Sequence, residues 1–144
     1  MNKWDARMLS LARLVASWSK DPGAQIGAVI VDDRNRVVSL GFNGFPRSVR
    51  DDAGILQDRD RKLMRTIHAE ENALLFAGRS VEGMTLYVNA HPCARCTAKL
   101  IQAGIVRVVC GELDENFAAR WADEFEEADM MLAEARVQVE VVHA

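Results

Sequence analysis

Residues 68–70 read His68-Ala69-Glu70 and residues 92–96 read Pro92-Cys93-Ala94-Arg95-Cys96, and these two stretches decide both the fold and the chemistry. One imidazole and two thiolates are a ligand set for tetrahedral zinc. With only three protein ligands the fourth position is left for water, the pattern of a catalytic rather than a structural site. A metal held in this way lowers the pKa of water to about 7, which makes hydroxide available at neutral pH. Glu70 stands two residues past His68, placed to face the open position without being a ligand, and is the candidate proton carrier.

Both stretches open an apolar-periodic segment. From about Leu63 to Ala77, Ile67, Leu74 and Leu75 fall at helical spacing and Gly78 is the stop, so His68 and Glu70 belong near the start of a helix. Cys93 through Ala103 reads as a second helix stopped by Gly104, which sets Cys93 and Cys96 side by side on its first turn. The dipoles of both helix starts favour thiolate and bound anion.

Outward from these helices, Met84 to Val88 and Ile105 to Cys110 are short apolar runs of strand type. Upstream, Ile26 to Val31 and Val37 to Leu40 flank the polar turn Asp32-Asp33-Arg34-Asn35-Arg36 as a β-hairpin. Trp4, Met8, Leu11, Leu14, Val15 and Trp18 mark one face of an opening helix, ended by Asp21-Pro22-Gly23. Downstream, Phe117 to Glu134 is an amphipathic helix with Trp121, Phe125, Ala128 and Leu132 on one face, and Val137 to Val142 is a last strand. Turn formers from Gly41 to Pro46 and the charged stretch from Arg47 to Lys62 read as loop, with room for a helical turn. Strand and helix alternate after the hairpin. That order predicts a three-layer α/β/α sandwich around a central mixed five-stranded sheet, with the site where helices begin beyond strand ends.

A chain of 144 residues supports one core of ordinary size, so residues 1–144 are read as a single domain. At 49% hydrophobic and 27% charged it has the composition of a soluble fold. It contains no apolar run near the roughly 18 residues needed to cross a bilayer, so no membrane association is expected. The N-terminus lacks the apolar region and cleavage site of a signal peptide, and zinc binding needs reduced thiols; both point to the cytoplasm. Cys110, at the end of an apolar run, is read as a buried free thiol. A formal net charge of −3 gives no general attraction to phosphate backbones, which counts against a nucleic-acid partner.

Taken singly, each site residue has a plain structural reading. A histidine near a helix start is usually packed or capping, and a lone pair of cysteines three apart can be structural; it is their combination and order that displace those readings. Glu71, next to Glu70, is expected to be only a first-turn glutamate favoured by the helix dipole. His91 is expected to shape the loop before Pro92 and His143 to be solvated, while Asn43 beside Gly44 reads on its own as a turn residue.

The zinc motifs stand with Gly27-Ala28-Val29-Ile30-Val31, Gly41-Phe42-Asn43-Gly44, Thr66 to Ala73 and Ala98 to Ile105. Together they resemble the cytidine deaminase superfamily over nearly the whole chain, most closely its deoxycytidylate (dCMP) deaminase branch. The resemblance implies that His68, Cys93 and Cys96 bind one zinc ion per subunit and that Glu70 shuttles protons. It implies further that Asn43 reaches the sugar, that the backbone near Ala69 and Cys93 holds the base edge, and that the chain forms a homo-oligomer, a hexamer. The implied reaction is hydrolysis of dCMP to dUMP and ammonia, a supply of dUMP for thymidylate synthesis. Two departures stand out: Phe42 replaces the branch's usual tyrosine, which puts inherited nucleotide regulation in question, and the segment between Asn43 and His68 lacks the Cys and His of a second, structural zinc.

Other readings stay open. Deamination of a free nucleoside or base uses the same motifs, and editing of RNA or DNA does so against the chain's charge. A binding module that keeps zinc for structure is opposed by Glu70, since such a site has no use for a proton carrier. A required 5′-phosphate is expected, with Arg47, Arg50, Arg59, Arg61 and Arg65 as the nearest guanidinium forks.

Overall fold

The computed structural model describes residues 1–143. Its middle layer is a five-stranded sheet in the order β2-β1-β3-β4-β5. The strands are β1 (Gly27–Val31), β2 (Val37–Phe42), β3 (Thr85–Val88), β4 (Arg107–Gly111) and β5 (Gln138–Val142). β1 is antiparallel to β2 and to β3, whereas β3, β4 and β5 run parallel. The hairpin needs only a turn, while each parallel step needs a crossover helix. α5 (Ala94–Gln102) and α7 (Ala122–Glu134) provide them.

Every residue of β1 is buried, as a strand covered on both faces requires. Ala28 and Ile30, with Leu86, Val88 and Val108, pack under α4 (Ala69–Phe76), α5 and α7 through Ala73, Leu100 and Leu132. Val29 and Val31, with Tyr87 and Val109, face Met8, Leu9 and Ala12 of α1 (Lys3–Ala16). The expected α/β/α sandwich results, with α1 alone on one face. Asp5 of α1 is buried and accepts from Tyr87 Oη at 2.8 Å and from the Arg107 fork at 2.8 and 2.9 Å, tying the outer helix to β3 and β4. Among the described residues no helix is long and apolar enough to cross a membrane.

α1 turns inward only part of the face that its large side chains mark: Met8 and Val15 are buried and Leu11 packs against the core. Asp5, Met8, Leu9, Ala12, Val15 and Ala16 are buried, while Trp4, Leu14 and Trp18 are exposed. The reason is close approach: a Cβ on Gly27 would lie 2.1 Å from Ala12 O and 2.5 Å from Ala16 N, so helix and strand backbone touch through small residues. Gly41 does the same on the other face, where a Cβ would meet Ala69 O and Ala73 N, each at 2.4 Å. Two glycines, one in each hairpin strand, thus seat α1 and α4 on opposite sides of the sheet.

Three expectations need correction. The helix expected from Leu63 to Ala77 is two helices, α3 (Arg59–Arg65) and α4. Thr66 N and Oγ1 both donate to Lys62 O and end α3, and Ile67 exchanges backbone hydrogen bonds with Gly44 at 2.8 and 3.1 Å. The expected Phe117–Glu134 helix divides at Trp121 (φ −111°, ψ 9°) into α6 (Glu115–Arg120) and α7. The charged stretch is more ordered than a loop: Asp52 and Asp58 cap α2 (Ala53–Gln57) and α3. Acidic caps that satisfy the first N–H groups let short polar helices form there.

Candidate active site

The three ligand candidates sit at the starts of two helices. His68 is the N-cap of α4, Cys93 is the N-cap of α5, and Cys96 lies on the first turn of α5. His68 Nδ1 is 3.2 Å from Cys96 Sγ and 3.5 Å from Cys93 Sγ. The three donor atoms all fall within 4.8 Å of one another, the one such cluster among the described residues. Zinc at its usual bond lengths in a tetrahedral angle places N and S about 3.6 Å apart. The donor set fits the ion.

Without a metal, the protein's own groups put only Cys93 in its ligating form. Hydrogen bonds from Cys96 and His68 hold the Cys93 thiol down to about 4, and the resulting thiolate raises His68 to about 9. Cys96 is pushed up by its bond to Cys93 and by burial. Two adjacent thiolates repel each other, and a divalent cation is what allows both to ionise.

Glu71 and Glu70 divide the work at the head of α4. Glu71 Oε1 accepts from His68 N at 3.2 Å, and its other oxygen takes Lys99 Nζ of α5, so it fixes the ligand's backbone and joins the two helix starts. Its role in the fold exceeds the dipole effect expected of it. Glu70 is only 4% exposed and lines the same cleft as His68 and Cys93. Burial pushes its carboxyl up to about 7, where gain and loss of a proton are both inexpensive at neutral pH.

The cleft encloses about 760 Å³, part of it open to solvent. Ala69, Glu70, Ala90 and Cys93 form its buried end, and Phe117, Trp121 and Phe125 form an aromatic wall. Trp121 meets the His68 ring edge-on at 6.4 Å. His91 also lines the cleft; its Nε2 is 2.7 Å from Asp129 Oδ1 of α7, and its ring stacks against Phe125 at 4.6 Å. It therefore holds the loop against α7 as well as facing the cleft. His143 is exposed, 2.8 Å from Glu112.

Asn43 lines the cleft and is buried, but its carboxamide is bonded at both ends. Oδ1 accepts from Ile26 N at 2.9 Å and Nδ2 donates to Ala24 O at 2.8 Å. Nδ2 also donates to Asp21 Oδ2 at 3.5 Å, so one lone pair of Oδ1 remains. Of the five arginines singled out from the sequence, Arg59 lines the cleft and the other four do not; Arg120 of α6 joins it. Arg120 and Trp121 were hidden because the last helix reads as continuous. Asp114, which caps α6 by accepting from Phe117 N at 2.9 Å, was the signal that a separate helix starts there.

Residues 2–112 match the family described as the cytidine and deoxycytidylate deaminase zinc-binding region. The chain belongs to this deaminase family. Among its relatives, the "uncharacterized deaminase in luxG 3′ region" of Aliivibrio fischeri is 47% identical over 139 residues, covering 96% of this chain and 93% of that one. Human deoxycytidylate deaminase is 37% identical over 131 residues, covering 82% and 72%. In structure, the deaminase resembles the cyanophage S-TIM5 dCMP deaminase crystallised with dCMP and dUMP, with a TM-score of 0.80, 24% identity and 99% of each chain covered. The deaminase is a zinc-dependent hydrolase of this superfamily, with His68, Cys93 and Cys96 as its zinc ligands.

Proposed function

We propose that this deaminase converts dCMP to dUMP and ammonia, with Glu70 as its proton carrier. The observation that supports this most is the polarity of the cleft: a buried, non-ligating glutamate beside the zinc triad at one end and unpaired arginines at the other. Several relatives named deoxycytidylate deaminase, human among them, support the same substrate.

Zinc held by the triad supplies Lewis acidity that makes water nucleophilic at neutral pH. Glu70 accepts one proton as the water oxygen adds to C4 of the cytosine and passes it to N3, then takes the second proton from the new C4 hydroxyl and passes it to the departing amine. The C4–N bond breaks, ammonia leaves, and C4 keeps the oxygen as the uracil carbonyl. The Ala69 N–H, among the first-turn donors that α4 leaves free, is offered to the base edge. Asn43, fixed by Ile26, Ala24 and Asp21, turns its remaining lone pair to the sugar. Glu71 takes no part in proton transfer, because Lys99 and His68 N occupy both its oxygens.

The test is ammonia release from dCMP, CMP, deoxycytidine and cytosine by zinc-replete protein. dCMP is the expected preferred substrate, and a faster reaction with deoxycytidine or cytosine overturns this reading.

A further inference from the structure

The cleft carries three cationic side chains that are not equivalent. Lys62 Nζ is 2.9 Å from Asp21 Oδ1, and both side chains are about nine-tenths buried. Asp21 is fixed in turn by accepting from Gly23 N at 2.7 Å and Ala24 N at 3.2 Å. The charge of Lys62 is thus neutralised within the wall.

Arg59 begins α3 and Arg120 ends α6, so they reach the cleft from separate elements. Both are exposed, whereas Glu70 and Cys93 are buried, which places the arginines at the rim and the zinc ligands at the floor. Neither pairs with an acidic side chain among the described residues. Arg120 lies over the Phe117 ring at 6.0 Å, which steadies it without neutralising it. Neighbouring arginines are otherwise engaged: Arg50 with Asp52 at 2.5 Å, Arg65 with Arg50 O at 3.3 Å, and Arg47 over Phe76 in a separate groove.

We infer that Arg59 and Arg120 form a two-sided grip for a phosphomonoester dianion at the rim, and that they select nucleotide over nucleoside. The inference rests on the dCMP reading. Two like charges facing one cleft repel until an anion comes between them, and each guanidinium fork donates paired N–H bonds to phosphate oxygens. In a chain with a net charge of −3, two uncompensated cations at one opening are a local exception. The order from floor to rim also matches a nucleotide, whose phosphate is its end farthest from the reacting C4.

The experiment measures kcat/KM for dCMP and deoxycytidine with the parent enzyme, Arg59→Gln, Arg120→Gln and the double variant. Arg61→Gln is the control, on α3 but outside the cleft. Each single variant is expected to lose about 10-fold or more on dCMP, and the double variant about 10²-fold. Deoxycytidine values are expected to stay within about twofold, and Arg61→Gln to change neither substrate. Inorganic phosphate is expected to compete with dCMP in the parent and to lose that effect in the double variant. A parent that prefers dCMP alongside variants that keep the preference overturns the grip but leaves the dCMP reading intact. Equal loss on both substrates also overturns it. A parent with no preference for dCMP removes the underlying reading itself.

Discussion

Replacing Gly41 with alanine asks whether one strand-to-helix contact sets the position of the metal site. The new Cβ would stand 2.4 Å from both Ala69 O and Ala73 N, backbone atoms of α4 that cannot swing aside. Ordinary contact lies near roughly 3.5 Å, so the helix must lift by about 1 Å. α4 starts at Ala69 with His68 as its N-cap, so the lift carries a zinc ligand and Glu70 with it. Overpacking of this kind costs about 1–3 kcal/mol. Straining the Ser39 Oγ bond to Ala73 O, 2.6 Å in the parent, adds about 1 kcal/mol. A reacting group misplaced by about 1 Å loses about 10² in rate. Urea unfolding, zinc content and ammonia release on one preparation measure all three. Gly44→Ala is the control, since nothing lies within 4 Å of its Cβ, and it is expected to stay within about 0.5 kcal/mol of the parent. A Gly41→Ala protein with parental stability, full zinc and parental turnover would refute the argument.

Cys96→Ala is expected to lose zinc and, because the metal joins two helix starts, stability as well; a metal-replete variant would show that another residue is the ligand. Asp5→Asn, which removes the buried bidentate partner of Arg107 and leaves it Glu140 at 2.9 Å, is expected to cost about 2 kcal/mol in urea unfolding, and a cost near zero would contradict the buried pair. The Arg107 guanidinium holds the Asp5 carboxyl well below the usual carboxylate range, so its folded pKa is lower than its unfolded one. Its contribution is therefore complete above about pH 4 and fades as pH falls further, and Asp5→Asn should flatten that acid limb of a stability profile. Sedimentation at micromolar concentration is expected to show a homo-oligomer, as the family resemblance implies; a monomer would reject it.

The sequence told the chemistry of the site more plainly than its framing. His68, Cys93 and Cys96 were legible because zinc ligation restricts residue type and spacing, and β1 to β5 were legible as short apolar runs between turns. The inward face of α1 was legible at Met8, Leu11 and Val15 but not at Trp4, Leu14 and Trp18, which are exposed because Gly27 admits only Ala12 and Ala16 beneath the helix. That constraint belongs to a contact between distant segments and leaves no period in either one. The breaks at 66–68 and at Trp121 were missed for a related reason: one to three non-helical residues barely disturb a helical pattern, although they reorient everything after them. Arg120 looked like the solvated face of a long helix, and only the break brings it to the cleft. Asn43 was found by resemblance, but its bonds to Ile26 and Ala24 depend on a loop closure that no local pattern announces.

The central claim is that a buried carboxyl beside the zinc triad moves protons without holding the metal. It is tested most directly by Glu70→Gln, with zinc content and turnover of dCMP measured on the same preparation. Glutamine preserves size and leaves the ligand set untouched, so the account expects full zinc and turnover reduced by about 10² to 10⁴. Full zinc with near-parental turnover would contradict it.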